Sequence, residues 1–207
     1  MSAWIRREYS GIGVTQYRPG PYLRQVQEPY QGKVVLCIDV SGSMSQDEGP
    51  RTRLEEAQRG ARTFVREALA AHYQVGLILW HHSVAAHVPL ATDPGKLEKV
   101  LRSARAGGGN DIVPTLRLGI QELGHLTGDR VMAIFGDGDL GPVGPAVRAA
   151  GEVARHGIRI VTRGLGRSSA GKLAKIATAG TPVEAIEPGA IASGIAAMVK
   201  AVTIPRA

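Results

Sequence analysis

A chain of 207 residues is long enough for one well-cored domain and too short for two comfortable ones. Hydrophobic residues at 43% and charged residues at 21% are the proportions of a soluble globular protein. A net charge of +7 leans toward acidic partners, but the basic residues are scattered and form no block, which disfavours nucleic acid.

Residues 1–32 differ in composition from the rest of the chain. Trp4, Tyr9, Tyr17, Tyr22 and Tyr30 lie among glycines and prolines, with Arg6, Arg7, Arg18 and Arg24 between them. No helical or alternating period is sustained, so an extended aromatic and basic arm is expected, laid on its own domain or on a partner. Stacking on nucleic-acid bases is the competing use of such an arm. The opening MSAWIRREYSGIG has no apolar core of the signal-peptide kind, and no later segment approaches a membrane span. The single Cys37 lies within an apolar run, where burial suppresses its thiolate, and it excludes an intramolecular disulfide. A cytoplasmic location is expected.

Residues 33–207 read as the domain. The apolar run 34–38, VVLCI, has no exposed face and predicts a strand buried on both sides, as in a parallel sheet flanked by helices. It stops on Asp39, with Ser41 and Ser43 following around Gly42. A carboxylate and two hydroxyls at the mouth of a buried strand are the hard oxygen donors that Mg²⁺ prefers. The alternative is a polar turn in which Ser41 or Ser43 only caps a helix.

After a polar loop whose Asp47 and Glu48 are expected to face solvent, with overhanging the site as the alternative, Thr52 and Glu55 form a capping box for a helix over 53–71. A buried strand over 74–80 and a shorter antiparallel edge strand over 83–90 come next, then a helix opened by Asp93. The loop 106–111, AGGGND, ends in Asn110 and Asp111 and leads into a helix over 113–123, with Pro114 in its first turn. A third buried strand over 130–135 also ends on a carboxylate, in Gly136-Asp137-Gly138-Asp139. A helix over 145–156, a strand over 158–162, a helix over 169–177, a short strand over 183–186 and a closing helix over 189–201 complete the chain. This alternation predicts an α/β, Rossmann-like, doubly wound fold with a mostly parallel central sheet, one antiparallel edge strand and helices on both faces. Ligands of such sheets collect at the carboxyl ends of the strands, so Asp39/Ser41/Ser43, Asn110/Asp111 and Asp137 are candidates for one site.

On these three segments the sequence resembles the von Willebrand factor type A domain family, intracellular bacterial type, over about residues 33–201. The D-x-S-x-S of Asp39, Ser41 and Ser43 is similar to the first segment of that family's metal-ion-dependent adhesion site, GGGNDI to its second and Gly136-Asp137-Gly138 to its third. The resemblance implies Mg²⁺ or Mn²⁺ as cofactor, with Ser41 and Ser43 as direct ligands and Asp39 and Asp137 acting directly or through water. Asn110, with Asp111 after it, stands where the family has a threonine, or Gly109 does if the alignment carries a gap, with Thr115 a helical turn on as a weaker substitute; Gly136 stands where the family has a hydroxyl residue. It further implies a binding module, not an enzyme, whose cation takes an Asp or Glu of a partner protein. Intracellular members often work beside AAA+ ATPases of the MoxR or chelatase type, or in stress and conflict systems, which makes such an ATPase one partner class.

Competing readings use other residues or other chemistry. A Mg²⁺-dependent phosphoester hydrolase or nuclease would need Asp39, Asp111 and Asp137 together. His81, His82 and His87 suggest zinc, but neighbours in a strand point to opposite faces and no cysteine completes a tetrahedron. The stretch 164–169, GLGRSS, lacks the phosphate-loop pattern and reads as a β–α turn with Ser168 or Ser169 capping the helix.

Overall fold

The computed structural model describes residues 31–181, 184–187 and 189–203. The arm expected over 1–32 lies, up to residue 30, outside the described residues. The run VVLCI becomes β1, Gly32–Asp39, buried from Lys33 onward. Its alternate side chains serve two cores: Val34, Leu36 and Ile38 pack into one, Val35 and Cys37 into the other. That division is what a strand with no exposed face predicts.

After β1 come a 3-10 turn, Gly42–Ser45, and two short strands, β2 (Asp47–Glu48) and β3 (Arg51–Thr52), that pair antiparallel. The helix α1, Arg53–Ala70, starts as expected: Thr52 and Glu55 exchange both bonds of a capping box. Then follow β4 (Tyr73–Trp80), β5 (Val84–Ala91), α2 (Gly95–Ser103), α3 (Val113–Leu123), β6 (Arg130–Gly136), α4 (Val143–Arg155), β7 (Arg159–Leu165), α5 (Gly166–Leu173), β8 (Glu184–Ile186) and α6 (Ile191–Thr203). No described helix is long and apolar enough to cross a membrane.

The main sheet has the order β5-β4-β1-β6-β7-β8, all parallel except β5. Buried side chains of α1, α2 and α6 cover one face, and those of α3, α4 and α5 the other. From β1 the chain goes first to β4 on one side and later to β6 on the other. The loops leaving β1 and β6 therefore diverge over the two faces, and that switch point is where doubly wound sheets hold their ligands. Asp39 and Asp137 leave these two adjacent strands.

Three local expectations are corrected. The polar loop after Ser45 contains the β2–β3 hairpin, turned at Gly49 with a positive φ of 72°. Its Glu48 is not a solvent-facing acid: it accepts from Gly189 N at 2.8 Å and from Arg53 Nε at 3.3 Å, holding the loop ahead of α6. The helix expected over 169–177 begins three residues earlier, at Gly166, because the positive φ of that glycine (73°) turns the chain directly off β7.

Candidate functional site

Asp39 is wholly buried at the end of β1, and both its oxygens are spoken for by backbone donors. Oδ1 accepts from Ser41 N at 2.8 Å, and Oδ2 from Asp137 N at 3.3 Å. The first bond folds the D-x-S-x-S segment back on itself, and the second ties it to the loop leaving β6. Ser41 Oγ and Ser43 Oγ stand 3.1 Å apart, and Ser43 Oγ donates to Asp137 Oδ2. Asp39 and Ser41 are thus buried, Ser43 and Asp137 half-buried; the side chains of Ser41, Ser43 and Asp137 form one hydrogen-bonded row leading toward solvent, joined to Asp39 through the backbone N–H groups of Ser41 and Asp137. Met44, fully buried in the 3-10 turn, anchors the segment from below.

Backbone bonds knit the neighbouring loops around this row. Gly107 N donates to Val40 O at 2.8 Å and Gly42 N to Gly108 O at 3.1 Å, so the Gly-rich loop docks on the serine segment. Asp111 N reaches His81 O at 2.9 Å, and Ile112 N reaches Leu140 O at 3.2 Å. All three predicted segments therefore meet at one place on the sheet edge.

Their side chains do not all meet. Asp111 Oδ1 accepts from Val113 N at 2.9 Å and is used to cap the first turn of α3. Among the described residues, no three His, Cys, Asp or Glu side chains gather closely enough to hold a metal. The carboxylate trio needed by the hydrolase reading is not assembled. Asn110 is half-buried, with its Nδ2 buried and unpaired; Thr115 Oγ1 and Trp80 Nε1 are likewise buried without partners.

A side chain at residue 136 would be crowded. A Cβ added at Gly136 would lie 3.0 Å from Asp39 Oδ2 and 3.1 Å from the Trp80 ring. Trp80, the register partner of Asp39 on β4, and the Asp39 carboxylate together leave a side chain at 136 only a tight fit. Ser169 joins the site although no motif marks it. Instead of capping α5, it donates to the carbonyl of Asp137, and its Cα lies 2.5 Å from where a Cβ on Gly138 would stand. The signal available in the sequence is Gly138 itself, whose φ of +89° permits that approach.

The histidines correct another expectation. His81 and His82 follow β4 in a turn, and their rings stack at 4.3 Å with 8° between planes, instead of pointing to opposite faces. A Cβ on Gly108 would stand 2.7 Å from His82 Nδ1, so the glycine lets the pair pack on the Gly-rich loop. Burial, with the neighbouring His82 adding to it, lowers the pKa of His81. His87 lies elsewhere, on β5, 3.3 Å from Glu122.

Burial raises the Asp39 pKa to about 7, and the Asp137 charge adds to it against hydrogen bonds from Ser41. A carboxyl raised above its ordinary value favours the fold most below about pH 4, and this contribution is lost as pH rises through about 7. In EDTA, the stability difference between wild type and Asp39→Asn is therefore expected to fall between pH 4 and 8, by at most about 1.4 kcal/mol per pH unit. Urea unfolding across that range checks this; a flat difference would show that Asp39 titrates normally.

A model of the von Willebrand factor type A domain matches residues 34–139, just over half of the chain and the span that holds all three segments. The chain belongs to this family. Type A domains are protein-interaction modules. Solved structures agree on the fold. BatB from Bacteroides thetaiotaomicron, described as a conserved hypothetical protein, aligns with a TM-score of 0.69 at 20% identity, covering 83% of this chain and 97% of that one. The vWF domain of the type V pili tip protein Mfa5 from Porphyromonas gingivalis gives 0.71 at 13% identity, covering 86% and 97%. The SpRpn10 VWA domain gives 0.66 at 15% identity, covering 86% and 100%. No curated protein matches the sequence.

Proposed function

We propose that this type A domain is a metal-dependent recognition module, binding Mg²⁺ or Mn²⁺ at Asp39, Ser41, Ser43 and Asp137 and, through it, an acidic residue of a partner protein. The observation that carries the reading is the hydrogen-bonded chain from Asp39 through Ser41 and Ser43 to Asp137. The four side chains offer only hard oxygens as ligands, two of them neutral hydroxyls, which suits a cation that keeps part of its hydration. Asp39 and Asp137 lie close enough for their charges to repel, and a divalent cation relieves that repulsion. Asn110 supports the reading too. It lies on the Gly-rich loop that docks on the serine segment, and its buried amide end is unpaired.

A bound cation supplies net positive charge and a position open to a carboxylate. The chain's own residues do the rest. Ser41 N and Asp137 N hold the Asp39 carboxylate in place, and Ser169 fixes the backbone of Asp137. Ser41 and Ser43 contact each other and Asp137 instead of an imidazole, an arrangement for ligation and not for nucleophilic attack. The +7 charge favours an acidic partner, and an AAA+ ATPase with an exposed Asp or Glu is the class we propose. Millimolar Mg²⁺ is expected to raise the melting temperature by about 5–10 °C if it exceeds its dissociation constant a hundredfold. Scanning calorimetry in Mg²⁺ and in EDTA checks this, and identical melting temperatures would remove the metal from the account.

A further inference from the structure

Among the described residues the exposed large hydrophobic side chains are Val143 and Val147, at 44% and 42%. They are four residues apart on α4, so they share one side of the helix. Val143 also lines a hollow of about 130 Å³, together with the 138–141 loop, Lys172 and Lys175. That loop is the continuation of Asp137, so the hollow adjoins the candidate cation site. Both lysines are exposed, and neither forms an ion pair with a described residue. The acid that lines the hollow, Asp139, has an oxygen already accepting from Gly141 N at 3.0 Å. The hollow thus keeps an excess of positive charge beside an exposed aliphatic pair.

We propose that this hollow, with Val143 and Val147, docks the part of an acidic protein segment that flanks the carboxylate bound at the Asp39–Asp137 site. A second acidic side chain lies against Lys172 and Lys175, and an aliphatic one against the valines. The inference rests on the metal-dependent reading above for the first carboxylate. Gly138 of the hollow is the chain neighbour of Asp137, so a few extended residues of a partner span both places. The lysines supply charge complementarity, and the valines give the contact its selectivity. Nucleic acid fits less well: its phosphates have no use for the valines, and among the described residues no aromatic side chain lines the hollow for a base to stack on.

Fluorescence anisotropy with three labelled probes tests this in Mg²⁺ and in EDTA. The probes are a short oligoglutamate, the same peptide with leucine at every third position, and an oligothymidylate of equal charge. The proteins are wild type, Lys172→Glu/Lys175→Glu, Val143→Ser/Val147→Ser and Asp39→Asn, each checked for its fold by circular dichroism. Wild type is expected to bind the leucine-containing peptide about tenfold more tightly than oligoglutamate. The serine variant should erase that preference, and the charge-reversed variant should weaken both peptides about tenfold or more. Three results would overturn the proposal: no preference for leucine, unchanged binding by the lysine variant, or tighter binding of the oligothymidylate. Failure of both peptides to bind overturns it as well. If only Asp39→Asn loses binding, the cation reading stands and the hollow falls; if only the lysine and valine variants lose it, the reverse holds.

Discussion

Asp39→Asn is expected to abolish the rise in melting temperature produced by Mg²⁺ while leaving the metal-free protein within about 1 kcal/mol of wild type near neutral pH. The asparagine is nearly isosteric, and its carbonyl still accepts from Ser41 N as Asp39 Oδ1 does at 2.8 Å. Its amide end faces Asp137 N, which costs one hydrogen bond but removes a buried charge that Asp137 repels. Loss of the cation effect without loss of the fold separates ligation from architecture. Calorimetry of the variant in Mg²⁺ and in EDTA decides it, and a shift equal to that of wild type would mean that any cation binds elsewhere.

The largest stability effect is expected at Gly60, on the opposite face from α3 and α4. Gly60 lies in the middle of α1, where it meets α6. A Cβ there would stand 2.5 Å from Ala192 O and 2.9 Å from both Ala192 Cα and Ile195 Cβ. Two of those atoms are backbone, so no rotamer change makes room and the helices must separate. Leucine gains about 1 kcal/mol of helix propensity over glycine. The separation strips packing from Phe64, Ile195 and Val199 and outweighs that gain. Gly60→Leu is therefore expected to lose about 3 kcal/mol or more. A urea midpoint equal to wild type would show that the two helices are not held this closely.

Most of the fold is legible because the strands VVLCI, QVGLILW and RVMAIF are apolar on both faces and the helices between them carry caps and periodic stripes. The antiparallel edge strand follows from the short connection to β4, and α3 from Pro114 and the apolar spacing after it. What escaped depends on the backbone or on distant packing. The β2–β3 hairpin pairs only four residues, too few to leave a periodic pattern. The early start of α5 rests on a single positive φ at Gly166, and a glycine in sequence does not announce which conformation it takes.

The site divides in the same way. Asp39, Ser41, Ser43 and Asp137 are readable because each stands at or just beyond the end of a buried strand, and topology alone brings those ends together. Asn110 and Asp111 reach the same place by backbone, yet Asp111 turns its carboxylate to its own helix, a local bond that no long-range pattern reveals. Gly136 is plain to see in sequence, and only the structure shows Asp39 and Trp80 crowding the space beside it. Ser169 supports Asp137 from 32 residues away across β7, a contact visible only once the strand order is known.

Four oxygen-bearing side chains at the ends of β1 and β6 are proposed to hold a divalent cation. Electron paramagnetic resonance of Mn²⁺ titrated into the EDTA-washed protein measures this directly, since only the free hydrated ion gives the sharp six-line signal. Suppression of that signal up to a single ion per chain, reversed by excess Mg²⁺ and absent in Asp39→Asn, is the predicted result. A free-ion signal that grows in proportion from the first addition, with protein at millimolar concentration, would contradict it.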